Sequence, residues 1–75
     1  MQTVKANVND LQHPEKNVRI HTKKQIEELQ KSIKMFGQIR PIIIDENNVI
    51  LAGNGLVQAF KEMGQETVDV LPMKN

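Results

Sequence analysis

The chain contains no cysteine, no tryptophan and no tyrosine, and it carries only two phenylalanines in 75 residues. Without cysteine there is no disulfide framework, no thiolate nucleophile and no cysteine zinc site, so stability has to come from packing. Phe36 and Phe60 both fall on expected core faces, which leaves no stacking platform for single-stranded bases. An excess of one charge is missing as well. Ten basic residues face nine acidic ones, and the formal net charge is +1. A stand-alone DNA binder would show a net electrostatic attraction, so a nucleic-acid role here needs a local patch or a fused or neighbouring module. No apolar stretch approaches the roughly 20 residues that span a bilayer, and the first residues lack the basic-then-apolar order of a signal peptide. A cytoplasmic protein without a membrane partner is expected. Repeats, low-complexity tracts and a Gly/Ser linker are absent too, so the expectation is one domain over residues 1–75, either whole or a piece of a longer protein. At that length a single apolar core is near the lower limit for stabilising a fold unaided.

What is present reads as alternating short elements. Thr3 to Val8 alternates weakly between polar and apolar residues, as an edge strand would, and Leu11 anchors the segment after it. Gln12 to His21 is polar, contains Pro14 and Asn17, and reads as a loop of about ten residues, a length that is often functional. Thr22 and Gln25 have the spacing of a capping box, so the first helix starts there. Ile26, Leu29, Ile33 and Phe36 form its apolar stripe, and Gly37 is placed to close it in a left-handed conformation. Pro41 to Asp45 is β-branched and apolar on both faces, as a strand covered on both sides would be. Glu46-Asn47-Asn48 supplies a turn, and Val49 to Ala52 returns as the other half of a hairpin. A second helix begins near Asn54 or Gly55, with Leu56, Ala59, Phe60 and Met63 on one face and Gly64 at its end. Thr67 to Leu71 is a last strand that Pro72 stops. The fold class is therefore α+β, a small mixed sheet with two packed helices.

One junction carries chemistry. An apolar strand runs into Gly53-Asn54-Gly55 and then directly into a helical pattern, which makes this turn a candidate phosphate cradle. Glycine removes the Cβ that would block an anion, and the first N–H groups of a helix point outward with the positive end of the dipole behind them. The competing explanation is that the two glycines only make a tight turn.

Several stretches together resemble the N-terminal domain shared by ParB-type partition proteins and sulfiredoxin, particularly its phage or methylase-associated branch. Asn17-Val18-Arg19-Ile20-His21 is similar to the branch's Asn-x-Arg-x-His, and Leu29 to Gly37 is similar to its Leu-x-x-Ser-Ile-x-x-x-Gly. Pro41-Ile42 resembles its strand start, and Ala52-Gly53-Asn54-Gly55 with Ala59 and Gly64 resembles its glycine-turn motif. The resemblance implies a ParB/sulfiredoxin-like fold over nearly the whole chain. It also implies a nucleotide- or DNA-phosphate-binding pocket, with Asn17, Arg19, His21, Gly53, Asn54 and Gly55 as its residues. A nucleoside triphosphate with magnesium is the implied ligand, and a role in partition, DNA modification or transcription regulation the implied setting. By position, Arg19 would pair bidentately with phosphate oxygens, and Gly53 to Gly55 would offer backbone N–H groups. Dimerisation is compatible with the family.

This chain departs from the pattern in identifiable places. Partition proteins write the turn as Gly-Glu-Arg-Arg, whereas here Asn54 replaces the glutamate, Gly55 the first arginine, and Leu56 stands where the phage branch also has an arginine. A lost charge-assisted hydrogen bond is worth about 1.5 to 3 kcal/mol, tenfold to a hundredfold or more in affinity. The later magnesium-binding and DNA-reading helices of partition proteins and the cysteine of sulfiredoxin are also missing. Among the other polar candidates, His21 either contacts phosphate when protonated or is solvated, and His13 reads as a surface residue. Arg40 either adds a phosphate contact or faces water. Two histidines eight residues apart with no carboxylate pair give a metal site little support. Asp45, Glu46 and Asp69 are acids that could accompany a nucleotide-bound magnesium ion. The lysines of the first helix are interrupted by Glu27 and Glu28 and read as a solvated face. Three functions are compatible with these features: a phosphate-binding module, a degenerate fold kept as a protein-interaction module without ligand, and, third, a nuclease or phosphotransferase.

Overall fold

A computed structural model describes residues 2–14 and 21–73. In chain order the elements are β1 (Val4–Asn7), a 3-10 turn at Val8–Asp10, α1 (Lys23–Phe36), β2 (Ile42–Ile44), β3 (Ile50–Ala52), α2 (Asn54–Glu62) and β4 (Thr67–Pro72). The four strands form one mixed sheet in the order β1-β4-β2-β3. β2 is central, parallel to β4 with Ile42 opposite Val70, and antiparallel to β3. β1 closes the other side antiparallel to β4, where Lys5 lies opposite Asp69 and forms an ion pair with it. The α+β class expected from the sequence is the one observed.

The helix boundaries follow from local chemistry. Thr22 accepts a hydrogen bond from Gln25 N–H at 3.1 Å and its own N–H donates to the Gln25 side chain at 3.0 Å, a complete capping box. Gly37 takes φ +75° and its N–H returns to the Ile33 carbonyl at 2.8 Å. α2 ends in a Schellman arrangement: Gln65 N–H reaches the Phe60 carbonyl and Gly64 N–H the Lys61 carbonyl, with Gly64 at φ +75°. Between β2 and β3, Asp45 Oδ1 accepts from both Asn47 N–H (2.8 Å) and Val49 N–H (2.9 Å), and Asn48 adopts φ +64°. Asparagine tolerates that conformation better than most side chains.

The core joins Ile42, Ile44, Ile50, Val68 and Val70 of the sheet to Val57, Ala59 and Phe60 of α2, Ile26 and Ile33 of α1, and Val8 and Leu11. Phe36 is not part of it and is 69% exposed, against the expectation from its spacing. At about 100° per residue it lies roughly 80° around the helix from Ile26. It is also the last helical residue, so the stripe runs out before the sheet reaches it. Val57 is fully buried although it lies outside the expected stripe of α2. Ile43 is only half-buried, so β2 is covered less completely on its second face than its composition suggested.

Gln38 completes the sheet where β2 has not yet begun. Its side-chain amide donates to the Asp69 carbonyl at 2.8 Å and accepts from Asp69 N–H at 2.8 Å, so it pairs with β4 as a strand backbone would, and it also donates to the Arg40 carbonyl. Gln38→Ala strips both partly buried Asp69 backbone groups of their partner. The variant is expected to lose about 1 to 3 kcal/mol of stability in urea denaturation, and a loss below about 0.5 kcal/mol would mean that water replaces the clasp without cost.

Candidate functional site

The glycine turn forms because β3 delivers the chain to α2 across the central strand. Gly53 caps α2 at φ +107°, ψ +20°, with no side-chain cap. A Cβ on Gly53 would lie 3.3 Å from Ile42 Cγ1 and 3.5 Å from Ile42 Cα, so the missing side chain lets the turn settle on a fully buried residue of β2. Gly55 is helical and buried, and a Cβ there would come within 2.9 Å of Cε1 and Nε2 of His21. Glycine at 53 is thus favoured by its positive φ and by the closeness of Ile42, whereas at 55 the space a Cβ would take is filled by the His21 ring. What the turn leaves toward the outside is the helix start. The first bond of α2 is Val57 N–H to the Gly53 carbonyl at 2.9 Å. The N–H groups of Asn54, Gly55 and Leu56 precede it, and among the described residues none of them has an acceptor.

A groove of about 900 Å³ runs past this turn. Gly53, Asn54, Gly55 and Leu56 form one end, α1 contributes Leu29, Ser32 and Ile33, and β2 and β3 contribute Ile43, Leu51 and Ala52. His21 and Arg40 supply ionisable groups, and the remainder of the lining is mainly apolar. The wall carries no carboxylate among the described residues. Leu56 is half-buried and packs on the core, so the position where the phage branch has an arginine serves here as part of the hydrophobic interior.

Of the six residues expected to form the site, His21, Gly53, Asn54 and Gly55 come together at this groove. Asn17 and Arg19 lie outside the described residues. Arg40 is exposed and also lines the groove. Of the acids considered for magnesium, Glu46 is exposed in the turn and does not line the groove, and the other two are engaged elsewhere. Asp45 caps the β2–β3 turn, and Asp69 pairs with Lys5 and holds Gln38 through its backbone. Among the described residues no group of three or more His, Asp or Glu side chains is placed to hold a metal ion.

His13 reads as a plain surface residue in the sequence, and the structure gives it a partner in the site. It is exposed, yet its Nδ1 lies 2.6 Å from Asn54 Oδ1. The route is through Gln12, which forms a parallel bridge with Val49. Gln12 N–H donates to the Asn48 carbonyl and its carbonyl accepts from Ile50 N–H, both at 2.8 Å. That stitch lays the start of the first loop along the outer edge of β3 and brings His13 beside the residue that begins α2. Nothing local in the sequence signals a contact between positions 13 and 54.

Comparisons with known proteins address the family and the fold. Residues 1–74 match the family model described as the ParB N-terminal domain. A 55-residue stretch, 73% of the chain, is 40% identical to the ParB-like nuclease domain-containing protein YnaK of Escherichia coli (strain K12), and it spans 63% of that relative's length. Sulfiredoxin from Arabidopsis thaliana superposes with a TM-score of 0.87 at 20% identity, over 100% of this chain and 88% of that one. The C-terminally truncated chromosome-partitioning protein ParB from Caulobacter crescentus, complexed with CTP-gamma-S, superposes with a TM-score of 0.85 at 23% identity, over 100% of this chain and 46% of that one. At those identities the two superpositions speak for the fold alone.

The two glycines should respond differently to a methyl group. Gly53→Ala meets both an unfavourable positive φ and Ile42, so a loss of about 1 to 2 kcal/mol or more is expected from the conformation alone. Gly55→Ala gains up to about 1 kcal/mol of helix propensity and displaces the His21 ring, so its stability should change less while the His21 resonances move. Equal stability losses with an unmoved His21 would contradict this packing.

Proposed function

Because the chain belongs to the ParB N-terminal domain family, we propose that it binds a nucleotide or the phosphates of DNA in the groove at the start of α2, as one module working beside a DNA-binding or DNA-modifying domain. The observation that carries this is the meeting of three helix-start N–H groups, without an acceptor among the described residues, with a groove of about 900 Å³. That volume lies within the roughly 300 to 1,000 Å³ of small-molecule sites. The arrangement suits a ligand with one anionic end and one flat, less polar end. The N–H groups, His21 and Arg40 would receive the anion, and Leu29, Ile39, Ile43 and Leu51 would cover the rest. The Caulobacter crescentus neighbour complexed with CTP-gamma-S supports a nucleotide as the ligand class. Arg19, placed by the family pattern, would add a bidentate phosphate contact.

Among the described residues this wall offers no ligand set for a protein-held magnesium ion. The described lining offers no carboxylate, and the acids of the sheet are already committed to the turn and to the β1–β4 pair. The chemistry assigned here is therefore capture of phosphate by donors, with no step passing through a metal. One observation favours a second use of the same face, as a protein-interaction surface. Ile39 and Leu51 line the groove at 67% and 56% exposure, and Leu56 is apolar where the family has a cation.

Titration of the protein with nucleoside triphosphates and magnesium, followed by chemical-shift mapping, should perturb Gly53 to Gly55, His21 and Arg19. No perturbation up to millimolar ligand would eliminate nucleotide binding and leave the interaction surface. Where binding is seen, Arg19→Ala should weaken it by about 1.5 to 3 kcal/mol. Leu56→Arg should raise phosphate affinity if the rest of the pocket is intact.

A further inference from the structure

We infer that His13 is a positioning residue for this groove: by donating from Nδ1 to the Asn54 carbonyl oxygen it turns the Asn54 amide group into the side-chain phosphate donor of the first turn of α2. This rests on the phosphate-binding function proposed for the groove and adds to it a residue that neither the family pattern nor the groove lining contains. His13 Nδ1 and Asn54 Oδ1 are 2.6 Å apart. A carboxamide oxygen carries no hydrogen, so the proton of this bond sits on the imidazole nitrogen.

The consequence lies in what remains of the asparagine. With one lone pair of Oδ1 engaged and the oxygen facing His13, the side chain offers its NH2 group, two donors, on the opposite side of the amide, and Asn54 lines the groove. Turning the amide by half a rotation would set its carbonyl lone pairs toward an incoming phosphate and would bring its NH2 against the Nδ1–H of His13, donor against donor. Protonated Nδ1 therefore selects the orientation that favours an anion. Gly55 and Leu56 have no polar side chain, so Asn54 is the only residue of that first turn able to add a side-chain donor to the backbone N–H groups. The partition-protein turn has glutamate at this position and arginines after it. Here a neutral amide, held from a distant loop, presents donors where that glutamate would present acceptors.

The position of His13 is built rather than incidental. Gln12 is fixed by two backbone hydrogen bonds of 2.8 Å, to Asn48 and Ile50 ahead of the turn, which places the backbone of the next residue, His13, within reach of Asn54. The His21 ring packs against Gly55 of the same turn.

The test uses the whole chain with inorganic tripolyphosphate and with CTP, read in proton–nitrogen spectra that report both ring nitrogens of His13 and the side-chain NH2 of Asn54. His13→Phe should lower affinity for both ligands by about threefold to tenfold, the range for one neutral hydrogen bond. His13→Gln can still donate to Asn54 Oδ1, so affinity should recover to within about twofold. In the wild type, neutral His13 should be the Nδ1–H tautomer, and the Asn54 NH2 signals should move on ligand addition. They should move again in the Gln variant and much less in the Phe variant. His13 is exposed, so these variants are expected to remain folded, which the same spectra verify. Unchanged affinity in His13→Phe with the Asn54 NH2 still shifting, or an Nε2–H tautomer in the wild type, removes the role of His13 while leaving the groove as a phosphate site. A wild type that binds neither ligand removes both.

Discussion

Ile42 and Gly53 share a space that admits one side chain. Ile42 is completely buried in the central strand, and it is a core residue paired across the sheet with Val70. The chain leaving β3 must cross it to start α2, and only a residue without a Cβ, free to adopt φ +107°, crosses that closely. Several features depend on this crossing. It sets where α2 begins, hence where the unpaired N–H groups lie, and it seats Phe60 and Val57 over the sheet as the centre of the core. The feature that makes the turn look like an anion cradle is therefore required first by packing. The outward N–H groups are a geometric result of the same requirement, so the fold offers an anion-accepting terminus whether or not a ligand uses it.

The second organising constraint is the pairing of side segments with strand edges. Gln12 pairs with the outer edge of β3, and the Gln38 amide pairs with β4 ahead of β2. Each stands in for strand backbone in a sheet whose strands are three to six residues long. Such short strands leave edge groups to be satisfied at both ends, and unpaired backbone groups are costly when they are removed from water. The solutions also fix the surroundings of the groove. Gln38 anchors the segment that carries Ile39 and Arg40, while Gln12 anchors the segment that carries His13. Loop residues that reach the site are thereby held by sheet chemistry rather than by contacts with each other.

Local signals in the sequence account for much of this architecture and fail where geometry is non-local. The capping box of Thr22 and Gln25, the closing glycines 37 and 64, and the turn at Glu46 to Asn48 are each decided by a few adjacent residues and are observed as read, with Asp45 added to the turn as its cap. The stripe of α1 misleads at Phe36 because periodicity states which face a residue occupies but not where the opposing surface ends. Val57 is buried for the converse reason: α2 lies close enough to the sheet to bury a wider arc than its strongest stripe. The glycine turn is legible as a junction of strand and helix, but its surroundings are not, since the close approaches to the two glycines come from Ile42 and His21. The bond between His13 and Asn54 joins two unremarkable polar residues through a bridge at Gln12 that no spacing rule anticipates. The family pattern supplies Asn17 and Arg19, for which the described residues give no geometry.

Leu56 shows how stability and binding compete in so small a domain. The side chain packs on the core and is half-buried. Full burial of a leucine contributes about 1.5 to 3 kcal/mol, so the half-buried one stabilises the fold by roughly half of that. An arginine in its place could lay its aliphatic stem along the same surface, but its head would have to reach the groove or solvent. The charge-assisted phosphate contact thus forgone is worth about 1.5 to 3 kcal/mol, and only when ligand is bound. For a domain of 75 residues, near the size at which one core barely suffices, the permanent gain is a substantial share of total stability. The donors that remain are those already supplied by the crossing at Gly53, with His21, Arg40 and Asn54 around them, and they require no further burial of charge.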